Sequence, residues 1–71
     1  MEKRKHYWNG RWGRLARRDI VLFEDAGLWT VEVRVGGVEG RSQMIEYESE
    51  DAALDRVRDL LAGADDWREL A

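Results

Sequence analysis

From Leu28 to Val35 the chain alternates so regularly that an extended strand with one buried face is the natural way to accommodate it. Trp29, Val31, Val33 and Val35 fall on one side, and Thr30, Glu32 and Arg34 on the other. That is the two-residue period of a strand whose second face meets water. Such a strand needs an apolar layer to lie against, and the chain supplies one nearer its C-terminus. Ala53, Leu54, Val57, Leu60 and Leu61 recur at three- and four-residue spacing, the stripe of an amphipathic helix. Ser49 is a good N-cap for it, and Glu50 and Asp51 place negative charge at the positive end of the helix dipole. Gly63 suits the left-handed position that ends a helix. The helical stripe is expected to pack on the Trp29/Val31/Val33/Val35 face.

Two further strands are expected. Over residues 18–25, Ile20 and Leu22 share one face and Val21 and Phe23 the other, so both faces should be covered. Glu24-Asp25-Ala26-Gly27 supplies the turn that follows. Gly36-Gly37-Val38-Glu39-Gly40 forms the next turn. A third strand then runs from about Arg41 to Glu48, with Ile45 and Tyr47 inward and Met44, Glu46 and Glu48 outward. Asp65 to Leu70 should fold back so that Trp67 and Leu70 seal the core. At the other end, Tyr7-Trp8-Asn9-Gly10-Arg11-Trp12 carries an Asn-Gly pair, the strongest short hairpin signal. In that hairpin Trp8 would face Arg11 and Tyr7 would face Trp12. The expected fold class is α+β: a three-stranded antiparallel meander with one helix on one face, preceded by a basic aromatic arm or hairpin. The arm covers residues 1–18 and the body 19–71, in one domain.

Size limits what else is possible. Seventy-one residues make one domain near the lower limit for a self-sufficient core. Four Trp, two Tyr and one Phe can supply much of that core, since each buried ring removes roughly 150–250 Å² from water. With no Cys there is neither a disulfide framework nor a thiolate metal site. Ile20-Val21-Leu22-Phe23 is the longest apolar run, far short of the roughly 20 residues a membrane span needs. No apolar stretch follows the basic N-terminal residues, so no secretory signal is expected and a cytoplasmic location is the default.

Charge is split along the chain. Residues 1–18 carry seven basic side chains against one acidic, net +6, while residues 19–71 hold five basic against fourteen acidic, net −9. Such asymmetry points to a contact with nucleic acid, a membrane surface or an acidic protein. Lys3, Arg4, Lys5, Arg11, Arg14 and Arg17 are candidates to hold phosphates, and Tyr7, Trp8 and Trp12 to stack on bases, the pairing used by single-strand binders. The competing reading has Trp8 and Trp12 covering the second face of the first firm strand, with the cations balancing an acidic body. A net negative outer face (Glu32, Glu46 and Glu48 against Arg34) would repel a duplex, so any nucleic acid would have to meet the arm. The alternative function is a protein–protein interaction module or homodimer, using the apolar Ile20–Phe23 strand and the arm.

Catalysis is not expected. His6 is the only imidazole, Ser42 and Ser49 have no base near them in sequence, and no nucleophile elbow or phosphate-cradling loop is present. Glu46, Glu48, Glu50 and Asp51 lack the glycine turn and spacing of a calcium loop. Gly36-Gly37 and Gly40 join two strands, so they offer no helix N-terminus to a phosphate. Neither a metal nor another cofactor is expected.

Part of the chain resembles a known module. Trp29-Thr30-Val31-Glu32-Val33, Gly36-Gly37-Val38-Glu39-Gly40-Arg41, Tyr47-Glu48-Ser49-Glu50-Asp51-Ala52-Ala53 and Asp66-Trp67 follow one another in an order similar to the later half of WGR domains. These are sheet-plus-helix modules of poly(ADP-ribose) polymerases and some bacterial proteins. The resemblance implies DNA or protein contact without catalysis, and by motif position it carries over Arg41 alone as a contact. The literal Trp12-Gly13-Arg14 stands before the first firm strand, whereas the family's motif lies at the later turn. Trp29-Thr30-Val31-Glu32-Val33-Arg34 also resembles the DNA-reading strand of plant ethylene-response factors and phage integrase arms. Arg outnumbers Lys ten to two, and the chain is similar in usage to small actinobacterial proteins, a likeness that implies no activity.

Overall fold

The computed structural model describes residues 1–13, 15–36, 40–63 and 65–70. Arg14 and the centre of the second expected turn, residues 37–39, lie outside the described residues. The elements in chain order are β1 (Glu2–Trp8), β2 (Arg18–Asp25), β3 (Leu28–Val35), β4 (Arg41–Tyr47), α1 (Glu50–Leu61) and β5 (Arg68–Glu69). The strands form one antiparallel sheet in the order β4-β3-β2-β1-β5. The α+β class, the antiparallel sheet and, among the described residues, the one helix agree with the sequence. The sheet, however, has five strands rather than three.

Both additional strands come from the chain's ends. Residues 2–8, expected as an arm, are β1 and pair with β2 from Glu2↔Glu24 to Trp8↔Asp19, with an irregularity between Lys3 and Lys5. The short β5 then adds to β1 through Tyr7↔Glu69 and Trp8↔Arg68, and the Leu70 N–H donates to the His6 carbonyl at 2.7 Å. No hairpin forms at Asn9-Gly10: Tyr7 lies opposite Ile20 and Glu69 instead of Trp12. The basic stretch was legible as charge but not as a strand, because Lys3-Arg4-Lys5 lacks the apolar alternation that marks one.

One face of the sheet carries the helix. Ile20, Leu22 and Val31 from β2 and β3 meet Ala53 and Val57 from α1, with Tyr7, Trp29, Tyr47, Leu54, Leu60, Leu61 and Trp67 packed around them. The register explains the grouping, since Leu22 lies beside Val31 and Val31 beside Ile45. Val35 and Ile45, expected inward, remain 39% and 47% exposed at the sheet margin. Leu70 is likewise half exposed, so Trp67 closes the core without it.

Among the described residues the other face has no second layer, yet it is not simply wetted. Val21 is fully buried there, flanked in register by His6 and Glu32. Thr30 and Glu32, expected to face water, are buried as well. Glu32 accepts a hydrogen bond from Arg34 Nε at 2.9 Å.

The Ser49 side chain caps α1 by accepting the Ala52 N–H at 3.2 Å, with Glu50 and Asp51 in the first turn. At the other end the Ala62 N–H closes on Asp59 O at 3.3 Å, and Gly63 does not adopt the left-handed conformation expected of it. Replacing Ser49 with alanine is expected to cost about 1 kcal/mol. The measurement is a lowered urea midpoint with an unchanged m-value.

Candidate contact surface on the β1–β2 loop

The loop between β1 and β2 is organised by one buried side chain. Asn9 is 1% exposed. Its amide donates to Ala16 O at 2.8 Å, and its carbonyl oxygen accepts the N–H groups of Arg18 (3.0 Å) and Arg11 (3.3 Å). The Asn9 backbone N–H meanwhile donates to Arg18 O at 3.1 Å. Asn9 therefore ties both ends of the loop together, and the intervening chain turns through Gly13, whose carbonyl accepts from Ala16 and Arg17. Gly10 has a φ of +76°, and a Cβ there would come within 3.0 Å of the Asp66 carbonyl. Only glycine relieves both constraints.

This frame holds an aromatic and cationic cluster outside the core. The rings of Trp8 and Trp12 lie 4.8 Å apart at 60°. Trp8 Nε1 donates to Arg11 O at 2.8 Å. The Arg17 guanidinium sits 5.5 Å from the Trp8 ring and 5.7 Å from Trp12, within cation–π range, and Arg68 approaches Trp8 at 5.9 Å. Trp8 is half-buried, but Trp12 is 74% exposed and Leu15, further along the loop, 95%.

Beneath the rings lies Asp19, 2% exposed. Arg17 grips it with two hydrogen bonds, at 2.9 and 3.0 Å, and His6 Nε2 stands 2.7 Å from its second oxygen. Burial alone would push the Asp19 carboxyl up. The hydrogen bonds and charges of Arg17 and His6 together outweigh burial and hold it below the usual carboxylate range. Its oxygens are satisfied, so Arg17 is held in place as a support for the two indoles.

Of the other sequence-predicted site residues among those described, Arg11 joins the loop through its backbone and the rest lie elsewhere. Arg4 bonds Glu24 at 3.0 Å and lies 5.9 Å from the Trp29 ring on the helix-bearing face. Lys5 stands 3.6 Å from Glu69, and Arg11 3.1 Å from Asp65. Tyr7 packs against the core. Among the described residues no carboxylate lies within 4.0 Å of Lys3 or of Arg41. Arg41 opens β4 at the far side of the sheet. Arg14 is outside the described residues.

Three important members were missed from sequence. Asn9 read as a turn residue. Asp19 is an isolated acid leading an apolar run, and its only signal is the Arg17-Arg18 pair beside it. Leu15 is an apolar residue in a basic stretch, with no periodicity to place it. The arrangement offers an apolar and π surface beside which Arg11, Arg17 and Arg68 face Asp65, Asp19 and Asp66. Among the described residues no group of three His, Asp or Glu side chains is placed to hold a metal ion, and no helix is long and apolar enough to cross a membrane. Comparison with models of known protein families, with curated proteins and with solved structures finds no match to this chain.

Proposed function

We propose that this chain is a non-catalytic binding module that engages a protein partner through the β1–β2 loop, with Trp12 and Leu15 entering the partner. The observation that carries this reading is the exposure of Trp12 and Leu15 on a loop pinned by buried Asn9. Large apolar side chains held in water by a fixed frame mark contact surfaces. Trp and Arg are also the residues that dominate binding hot spots. Because the frame exists before binding, little ordering entropy is lost on contact.

Nucleic acid is the second reading, favoured by the exposed Trp12 ring on which a base could stack. It is weakened by the cations meant to hold phosphates: Arg4, Lys5, Arg11 and Arg17 face the chain's own carboxylates. Arg4 also lies on the opposite side of the sheet from Trp8 and Arg17. Tyr7, proposed to stack, is turned to the core. A dimer through the apolar Ile20–Phe23 strand is disfavoured, since Ile20, Val21 and Leu22 are buried within the protein.

Co-purification from source cells, comparing the wild type with a Trp12→Ser/Leu15→Ser variant, tests the leading reading. A protein retained by the wild type should bind the variant at least about 100-fold more weakly, as hot-spot truncation would produce. The two exposed substitutions should leave the fold intact by circular dichroism. Identical partner sets would sink the proposal. A titration with a short single-stranded oligonucleotide at about 50 mM salt decides the second reading, because phosphate contacts require steep salt dependence.

A further inference from the structure

The sheet has two dissimilar edges. On one side β1 carries Lys3, Arg4 and Lys5, and β5 covers part of it through Tyr7 and Trp8. Charged side chains and a short covering strand are the usual protection of an edge. The other side is β4, Arg41-Ser42-Gln43-Met44-Ile45-Glu46-Tyr47, whose outer backbone groups meet no strand among the described residues. It pairs with β3 one-to-one along all seven residues, so no bulge bends it away. It contains no proline, and its centre exposes Met44 (55%) and Ile45 (47%). A long, regular edge with an apolar centre is a template for another strand.

We infer that β4 is a self-association edge, and that its partner is β4 of a second copy of this chain, paired antiparallel about Met44. The sequence of the strand favours that occupant. A two-fold axis at Met44 sets Met44 opposite Met44, Gln43 opposite Ile45, Ser42 opposite Glu46 and Arg41 opposite Tyr47. Every opposed pair then lies on the same face of a continued sheet, as antiparallel pairing requires. No like charges are opposed. The ends are complementary in charge: Arg41 opens the strand, whereas Glu46, Glu48, Glu50 and Asp51 lie at its close and the start of α1. Antiparallel pairing brings the basic end of each copy to the acidic end of the other. A parallel arrangement would bring like ends together. The resulting interface is isologous and closes at two copies.

The β1–β2 loop is not part of this contact. The pairing would place the two Trp12 loops toward opposite margins of a ten-stranded sheet, free to bind. The association therefore stands or falls separately from the proposed partner contact.

Two measurements on the full chain test it. Sedimentation equilibrium across about 1–500 µM should show the mass doubling. Met44→Lys would oppose two cations at the axis and should weaken dimerisation by about tenfold or more while far-UV circular dichroism stays unchanged. The wild type has no Cys, so a single Met44→Cys should cross-link to a covalent dimer on mild oxidation, whereas Leu15→Cys, at a residue 95% exposed, should not. A wild type that stays monomeric throughout the range overturns the inference. So does a Met44→Lys protein that dimerises as well as wild type, or equal cross-linking at both cysteines.

Discussion

Asn9→Ala is expected to remove about 2–4 kcal/mol of stability. For a domain of 71 residues that is a large part of a total of roughly 4–10 kcal/mol. The side chain satisfies Arg18 N–H, Arg11 N–H and Ala16 O at once. Truncation leaves those groups without their partner at a site 1% exposed, where water reaches them poorly. The cost of an unmade hydrogen bond exceeds the gain from a made one, so the loss should be greater than that of truncating an exposed asparagine. Urea denaturation should show the midpoint falling, and native-state hydrogen exchange should show the Arg18 amide losing its protection. Asn9→Asp should be intermediate, since it keeps the acceptor for both N–H groups but sets an oxygen against the Ala16 carbonyl. A loss for Asn9→Ala below about 0.5 kcal/mol, the range of an ordinary surface substitution, would show that the loop is not organised by this residue.

Asp19→Ala should cost about 2–3 kcal/mol. Breaking a fully buried ion pair typically costs more, 3–5 kcal/mol, but the Arg17 side chain is 28% exposed and can recover hydration. The accompanying pH dependence has a definite sign. Folding holds the Asp19 carboxyl below its ordinary value, because Arg17 and His6 outweigh the opposing effect of burial. The folded state thus binds this proton less readily than the unfolded chain, whose carboxyl titrates near 3.9. The stabilisation is fully present above that value and is lost as pH falls through the lower folded one. Wild type should therefore exceed Asp19→Asn in stability at pH 5–7, and the gap should close as the medium is taken below about pH 4. Urea curves at pH 7, 5, 4 and 3 would measure it, and a gap that stays constant into strong acid would exclude an ionised Asp19 as its source.

The body of the fold was legible because its residues obey local periods. Leu28–Val35 alternates, β2 begins and ends at Arg18 and Asp25 as expected, and Ser49 caps a helix whose apolar stripe meets the core. The first strand was not legible. Glu2–Trp8 is a strand because β2 offers it an edge, and its Arg4 and Lys5 lean on Glu24 and Glu69. Neither circumstance is visible in seven consecutive residues. The Asn9-Gly10 pair misled for a related reason: the same two residues suit a tight hairpin turn or a buried clasp, and only the position of Arg18 separates the two. Glu32 and Thr30 were misread because a polar residue on an alternating strand ordinarily faces water, whereas here a neighbouring Arg34 lets the carboxylate remain buried.

By itself the sequence determined the α+β class, the β2–β3 ladder, the capped helix and the separation of charge between the two ends. The strands of that ladder, the helix and its cap are each marked within about eight residues, where side-chain period and backbone preference act directly. Tertiary structure alone decided that the basic N-terminal segment is a strand, that most of its cations meet internal carboxylates, and that Trp12 and Leu15 stand in solvent while Trp8 leans inward. It also decided which sheet edge is covered and which is open. The physical reason is that ion pairing, burial and strand neighbours depend on groups ten to sixty residues apart, and no local pattern records who those neighbours are.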